Sequence, residues 1–392
     1  MDSGWSTYYN NFEVDEEKFP DFNSMIASFS ERDVWTILWA TSMINEDDPN
    51  YQTAIDNNYF IKTPRGTVRP IKWWHGSGAL LDFSNEEAKD WFNSMMDDVL
   101  EAGVKGFKCD GTDPYILEYV QPQTSEGEPI TYREYADMYY SDFKDYTAEV
   151  NGDSLIWSRP VDCATQTDAV CGNYSPHDLM FSGWVGDDDS SWQGLRSCLR
   201  KSIYSAWKGY NAYGCDIGGY RADSSINELG RDPETFMRWV QTGTFMSLME
   251  NGGGGEHRPW MFDEYLNSST NPTQYTDLYR TFTNIHYSLA SYLQSAGTEA
   301  YYQESSVMKP ISQLYNEEEP YKYPLPETLA YYLGPDIFVQ PISTNSKGFV
   351  NIQWPEEGTK WRDFWAPSFV AGIGGNSKTI KYPLNHYPAF VR

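Results

Sequence analysis

Phe107-Lys108-Cys109-Asp110-Gly111-Thr112-Asp113-Pro114 sets a carboxylate where a short apolar strand gives way to a polar loop. Upstream, Ser84-Asn85-Glu86-Glu87 has the spacing of a helix-capping box, and Ala88, Trp91, Phe92, Met95 and Val99 recur at helical intervals until Gly103. A capped helix, a glycine stop, a strand and an acidic loop make up the rhythm of a β/α unit. In parallel α/β sheets and (β/α)8 barrels, side chains at strand C-termini surround the site, which makes Asp110 a candidate for chemistry. The competing reading is an aspartate that caps the turn after it.

The same pattern recurs downstream. Met180-Phe181-Ser182-Gly183-Trp184-Val185-Gly186-Asp187 is again apolar and ends in an acid, followed by Asp188, Asp189 and Ser190-Ser191-Trp192-Gln193-Gly194-Leu195. Tyr213-Gly214-Cys215-Asp216-Ile217-Gly218-Gly219-Tyr220 adds a third acid, with glycines that let a ligand approach the backbone. Paired strand-end carboxylates suit glycoside cleavage, which needs one ionised carboxylate at the anomeric carbon and one protonated carboxyl for the leaving oxygen. Asp188 and Asp189 read as solvated loop acids, the alternative being like-charge repulsion on Asp187.

Lys108-x-Asp110, Trp184-x-Gly186-Asp187 with its Ser-Ser-Trp-x-Gly-Leu tail, and Gly214-x-Asp216-Ile-Gly-Gly219 resemble glycoside hydrolase family 31 in order and spacing. Phe19-Pro20-Asp21, Ser158-Arg159, Glu228 followed by Arg238-Trp239, Pro259-Trp260 and Tyr332-Leu333-Gly334-Pro335-Asp336 extend the likeness over almost the whole chain. The resemblance implies a retaining α-glycosidase that takes a terminal α-glucoside, α-xyloside or α-galactoside through a covalent glycosyl-enzyme, with no cofactor and no metal. It puts Asp110 on the nucleophile and Asp187 on the general acid/base, roughly 5 to 6 Å apart. It also implies sugar contacts in the −1 subsite from Asp2, Arg159 and Asp216, and counts Lys108 and Trp184 of the matching motifs among the substrate-binding residues. Arg159 suits its place, because a guanidinium offers a fixed fork of donors; the alternative is an ordinary ion pair beneath the site.

Two departures bear on the substrate. Asp113 stands where most members carry Glu, and Met249-Glu250-Asn251 stands for the family's Arg-x-His, which leaves Asn251 in the histidine's place. Asn offers donor and acceptor but no positive charge. The run Gly252 to Gly255 reads as a mobile loop that brings Glu256 or His257 to the missing contact.

The 392 residues carry 16% aromatics, among them 15 Trp. Trp35, Trp39 and Trp91 read as core. Trp73-Trp74-His75-Gly76 falls in an irregular stretch, where Trp74 either stacks on a sugar face or packs within the loop. The net charge of −27 disfavours nucleic acid and anionic membranes as partners and suits a neutral oligosaccharide or glycoside. No apolar run approaches the roughly 20 residues of a membrane span, and the N-terminus lacks a signal-peptide profile. Cys109, Cys163, Cys171, Cys198 and Cys215 are odd in number and have no CxxC spacing, so neither a metal site nor a full disulfide framework is indicated; Cys163 and Cys171 could pair within one loop in an oxidising compartment.

Strands are expected to end near Trp39, Asp110, Arg159, Asp187, Asp216 and Glu250. Residues 1–332 read as a (β/α)8 barrel of the TIM type with a loop insertion at 42–83, and 333–392 as the start of a C-terminal β-sheet domain. Set against the family, the chain reads as lacking the N-terminal β-sandwich and the first barrel strands. Two further readings stay open beside hydrolysis: α-transglycosylation, and a catalytically inactive barrel fragment that binds carbohydrate. A metal-dependent hydrolase finds no His-x-His or His-Glu-x-x-His in support.

Overall fold

The computed structural model describes residues 1–111, 120–152, 155–159, 176, 178–179, 182–207, 209–311 and 329–392. The chain divides into two compact units, Met1–Gly183 and Trp184–Arg392.

In the first unit, β1 (Ile37–Ala40) is followed by a small antiparallel sheet of β2 (Met43–Asn45), β3 (Ile71–Trp73) and β4 (Gly76–Leu80) in the order β2-β4-β3. The stretch 42–83 carries a hairpin: Trp73 pairs with Gly76, and Trp74-His75 form the turn. β5 (Gly106–Cys109) and β6 (Leu155–Ser158) then run parallel to β1, with Ala40 opposite Cys109 and Cys109 opposite Ser158. Every residue of β5 is buried, as expected for a strand covered on both faces. β7 (Ser182–Trp184) continues the parallel order, with Gly183 beside Ser158.

The helix Glu86–Ser94 is capped by Asn85, whose side chain accepts from the Glu87 and Ala88 N–H groups, and not by Ser84. Ser84 instead turns its hydroxyl to Asp82 at 2.6 Å. The apolar run expected as one helix is two, breaking after Ser94 and resuming at Asp97–Glu101, so Phe92 and Val99 are buried from separate segments. Between β5 and β6 crosses the helix Tyr132–Asn151, which opens on a complete Thr131/Glu134 capping box and ends at Gly152. It buries Tyr135, Tyr139 and Phe143, and Phe143 meets Phe12, Phe92 and Phe107 ring to ring. Tyr139 donates to the carbonyls of Ala40 and Asp110, both at 3.3 Å, which ties the C-terminal ends of β1 and β5 together. Trp35, expected in the core, is 56% exposed because it precedes β1 rather than lying within it.

In the second unit, Val185 after β7 donates to the Gly214 carbonyl of β8 (Ala212–Gly214) at 3.1 Å. Asp216 and Glu250 form a parallel bridge, so the strand expected to end near Glu250 is present as that single pairing. An antiparallel sheet follows, comprising β9 (Met308–Pro310), β10 (Tyr331–Leu333), β11 (Ile337–Val339), β13 (Lys360–Asp363), β14 (Val370–Ile373) and β16 (Ala389–Val391). Its order is β14-β13-β16-β11-β10-β9, while β12 (Phe349–Gln353) pairs with β15 (Ser377–Lys381). Trp354, Trp361, Phe338 and Phe390 build its core. Arg238, 2% exposed on the helix Pro233–Thr244, donates to the Tyr382 carbonyl at 2.7 Å, and Thr242 meets the Tyr387 hydroxyl at 2.8 Å. Arg238 and Thr242 thus tie this helix to the segment between β15 and β16, while Trp239 donates its indole N–H to Cys215 Sγ at 3.2 Å.

Candidate active site

Asp110 leaves β5 with its N–H bonded to the Ala40 carbonyl at 2.9 Å. One carboxylate oxygen, Oδ1, accepts from the Gly111 N–H at 2.7 Å and from Arg159 Nη1 at 3.0 Å. The other, Oδ2, accepts from Trp39 Nε1 at 3.0 Å. These donors come from the ends of β1, β5 and β6, so the strand register itself aims the carboxylate. A carboxylate has about four lone-pair sites; three donors orient it and leave acceptor capacity on a side chain that is 19% exposed.

Lys108, two residues earlier on the same face of β5, pairs with Asp2 at 2.9 Å and lies 5.3 Å from the centroid of the Trp157 ring. Burial works against the Asp2 charge, but Lys108 and the Ser3 N–H outweigh it and hold this carboxyl below its ordinary range. Beside them stands an aromatic wall. Trp39 stacks on Trp73 at 6.2 Å, and Tyr9 meets Trp39, Trp73 and Trp74 edge-on. Trp74 remains 55% exposed, a ring face of the kind that stacks on sugars. Trp39 is buried, as expected of core, yet it serves the site through its indole N–H. Tyr9, Trp39 and Trp73 were not among the expected site residues; for Trp39 the available signal was its place at a strand's C-terminal end.

In the second unit Trp184 is 1% exposed, and Gly186 at φ 85° turns the chain in the left-handed region just before the half-buried Asp187. Asp188, expected in solvent, is 6% exposed: burial raises its pKa, opposed by Lys201 at 3.0 Å and the Ser197 hydroxyl. Asp189 is the exposed acid of the pair and faces Arg221 at 3.6 Å.

Asp216 is 2% exposed and its carbonyl accepts from Gly219 at 2.9 Å. Gly219, at φ 83°, sits where a Cβ would come within 2.8 Å of the Asp189 and Ser190 backbone. Arg231, unforeseen from sequence, is 1% exposed and donates Nη2 to the carbonyls of Gly219 and Gly254. Burial pulls its pKa down to about 10, against the charges of Asp216 and Glu256.

The glycine run is therefore not a free loop. Gly254 N–H bonds to the Tyr220 carbonyl at 2.8 Å and Glu256 N–H to the Leu229 carbonyl at 3.1 Å, because glycines allow backbone to lie directly on backbone. Glu256 is clamped by Arg258 at 2.5 Å, which holds its pKa at about 2. His257 is half-buried; burial and then Arg231 lower its pKa, and its Nδ1 has no hydrogen-bond partner among the described residues. Asn251 is exposed and reaches the His257 carbonyl at 3.4 Å. Asp113, Cys163 and Cys171 lie outside the described residues. Among those described, no group of three His, Cys, Asp or Glu could hold a metal ion, and no helix is long and apolar enough to cross a membrane.

The model of the glycosyl hydrolases family 31 TIM-barrel domain matches residues 1–296, and that of the family 31 C-terminal domain matches residues 304–392. The chain belongs to glycoside hydrolase family 31. Among its family 31 relatives are an α-xylosidase of Emericella nidulans, 24% identical over 100% of this chain and 47% of its own length, and α-glucosidase 2 of Bacillus thermoamyloliquefaciens, 23% identical over 100% and 48%. The chain thus spans about half the length of these curated relatives. In fold it resembles a family 31 dextranase of Flavobacterium johnsoniae, solved with glucose, at a TM-score of 0.80 and 20% identity over 100% of this chain and 47% of that one. A cycloalternan-degrading enzyme from Trueperella pyogenes superimposes at a TM-score of 0.74 and 20% identity, covering 95% and 51%.

Proposed function

We propose that this protein is a retaining α-glycosidase acting on terminal α-linked sugars, with Asp110 as nucleophile and Asp187 as general acid/base. The observation that carries the reading is the Asp110 carboxylate, fixed by Trp39, Arg159 and the Gly111 N–H beside the Lys108–Asp2 pair. Donors that fix the carboxylate's direction and leave lone pairs free suit a group that must attack carbon.

In the first step an Asp110 oxygen bonds to the anomeric carbon while the bond to the aglycone oxygen breaks, and Asp187 gives that oxygen its proton. In the second, Asp187 takes a proton from water, the water oxygen bonds to the anomeric carbon, and Asp110 leaves as carboxylate. Two inversions retain the α configuration. A sugar hydroxyl in place of water would give transglycosylation by the same route. Lys108, Asp2, Arg159 and Asp216 are assigned to hydroxyls of the −1 sugar, Trp74 to ring stacking, and Asp113, Trp184 and Asn251 to the remaining substrate contacts. Asn251 and His257, whose Nδ1 has no hydrogen-bond partner among the described residues, are assigned to the contact for which the family's histidine is missing.

The relatives named α-xylosidase and α-glucosidase favour α-xylose or α-glucose over α-galactose as the sugar. The test is release of nitrophenol from aryl α-xyloside, α-glucoside and α-galactoside, with Asp110→Ala as blank. Turnover of one sugar that vanishes in the blank is the expected result. Turnover that survives in Asp110→Ala would overturn the assignment.

A further inference from the structure

A basin lies in the second unit, lined by none of the residues assigned to catalysis. It encloses about 360 Å³ between the helix Trp192–Trp207 and the segment 343–345, and is lined by Trp192, Gln193, Arg196, Ser197, Arg200, Ser343, Thr344 and Asn345. Arg196 and Arg200 are four residues apart on one helix, so their side chains leave the same face about 6 Å apart at Cβ. No carboxylate lines the pocket. Among the described residues neither guanidinium is paired with an acid, although the chain carries 56 Asp and Glu against 29 Lys and Arg. Arg196 makes one long contact, Nη1 to the Ser343 hydroxyl at 3.3 Å, and Arg200 is exposed. Asp188, the acid reached by Ser197, is already held by Lys201 at 3.0 Å.

Two guanidiniums without a counterion among the described residues, ringed by hydroxyl and amide donors, form a receptor for an oxyanion. Planar five-donor forks bind phosphate and sulfate oxygens two at a time, and the hydroxyls and amides of Ser343, Thr344, Asn345 and Gln193 can take the remaining ones. The overall negative charge opposes an incoming anion, but charges beyond about 8 Å are screened at physiological ionic strength, so the two local cations decide. We propose that this pocket binds a phosphate- or sulfate-class oxyanion. The volume exceeds what the bare ion needs, and Trp192 offers a ring for the sugar of a phosphorylated or sulfated saccharide.

The experiment is calorimetric titration of the protein with inorganic phosphate, sulfate, glucose 6-phosphate and glucose at ionic strength fixed with chloride. One phosphate per chain is expected, displaced by sulfate and not by glucose. Arg200→Gln, at an exposed position with no partner among the described residues, should weaken phosphate at least tenfold. Arg196→Gln should do the same, Arg196→Lys should recover part, and Arg280→Gln in the exposed Asp277 pair should change nothing. Tighter binding of glucose 6-phosphate than of phosphate assigns the anion to a sugar ester, and equal binding assigns it to the free ion; either upholds the site. Phosphate heats no larger than those of chloride, phosphate affinity unchanged in Arg200→Gln, or displacement by glucose alone would overturn it.

Discussion

In the first unit the Asp110 carboxylate is positioned largely by side chains, Trp39 and Arg159 each at 3.0 Å, whereas in the second the chain around Asp216 is positioned by main chain. There Gly219 lies against the Asp189 backbone, Gly254 bonds to the Tyr220 carbonyl, and the buried Arg231 gathers the carbonyls of Gly219 and Gly254. The two kinds of support fail differently. A wall built from charge-assisted hydrogen bonds is sensitive to the loss of a donor and tolerant of small changes in volume. A wall built from glycines in contact is indifferent to charge and intolerant of a single added methyl group.

Asp110→Asn should have the largest effect, lowering kcat/KM by at least about 10³-fold as removal of a nucleophile does, with a lower melting temperature as well, because one amide oxygen cannot accept both from Trp39 and from the Arg159 and Gly111 donors. Arg159→Leu comes next: kcat/KM should fall roughly 10- to 100-fold, equivalent to about 1.4 to 2.8 kcal/mol, and Arg159→Lys should recover only part, since an ammonium lacks the planar fork. Gly219→Ala should cost about 1 to 3 kcal/mol of stability in urea unfolding, by strain and clash together. If Gly219→Ala folds as well as the parent while Arg159→Leu unfolds it, the contrast between the two walls is wrong.

The smallest effects are in pH dependence, and they have opposite signs in the two units. Burial lifts Asp48 from 3.8 to about 6, so its folded form holds a proton more tightly than its unfolded form. The resulting stability is present below pH 3.8 and is lost as pH rises through 6. Asp48→Asn, which keeps the cap on the helix Pro49–Asp56, should therefore gain on the parent above pH 6 and match it below pH 4 in thermal melts. Arg258 instead lowers Glu256 from 4.5 to about 2. That contribution is present above pH 4.5 and fades toward pH 2, so Glu256→Gln should narrow its deficit as the solution is acidified.

The strand ends were legible because Phe107 to Cys109 and Ser182 to Trp184 are short apolar runs followed by acids, and in the first unit the parallel register sets the ends of β1, β5 and β6 side by side. The family's order of motifs was legible for the same reason. What could not be read were the atoms that do the holding. Hydrophobicity gives Trp39 as core, which it is, but does not tell that its N–H reaches Asp110 across 71 positions of sequence. Asp188 looks like its neighbours Asp187 and Asp189 until Lys201 and Ser197 close on it. A run of four glycines reads as freedom, yet the same absence of side chains lets Tyr220, Leu229 and Arg231 pin it. Arg231 itself belongs to no motif; only its burial marks it.

The most direct test of the central claim is covalent trapping. An α-xylosyl or α-glucosyl fluoride carrying a second fluorine at C5 slows both steps, while its fluoride leaving group keeps the first step fast, so a glycosyl-enzyme accumulates. Mass spectrometry of the digested protein should find one fluorosugar on the peptide containing Asp110 and none in Asp110→Ala. A sugar carried by another carboxylate, or turnover without any adduct and with inversion at the anomeric carbon, would contradict the account.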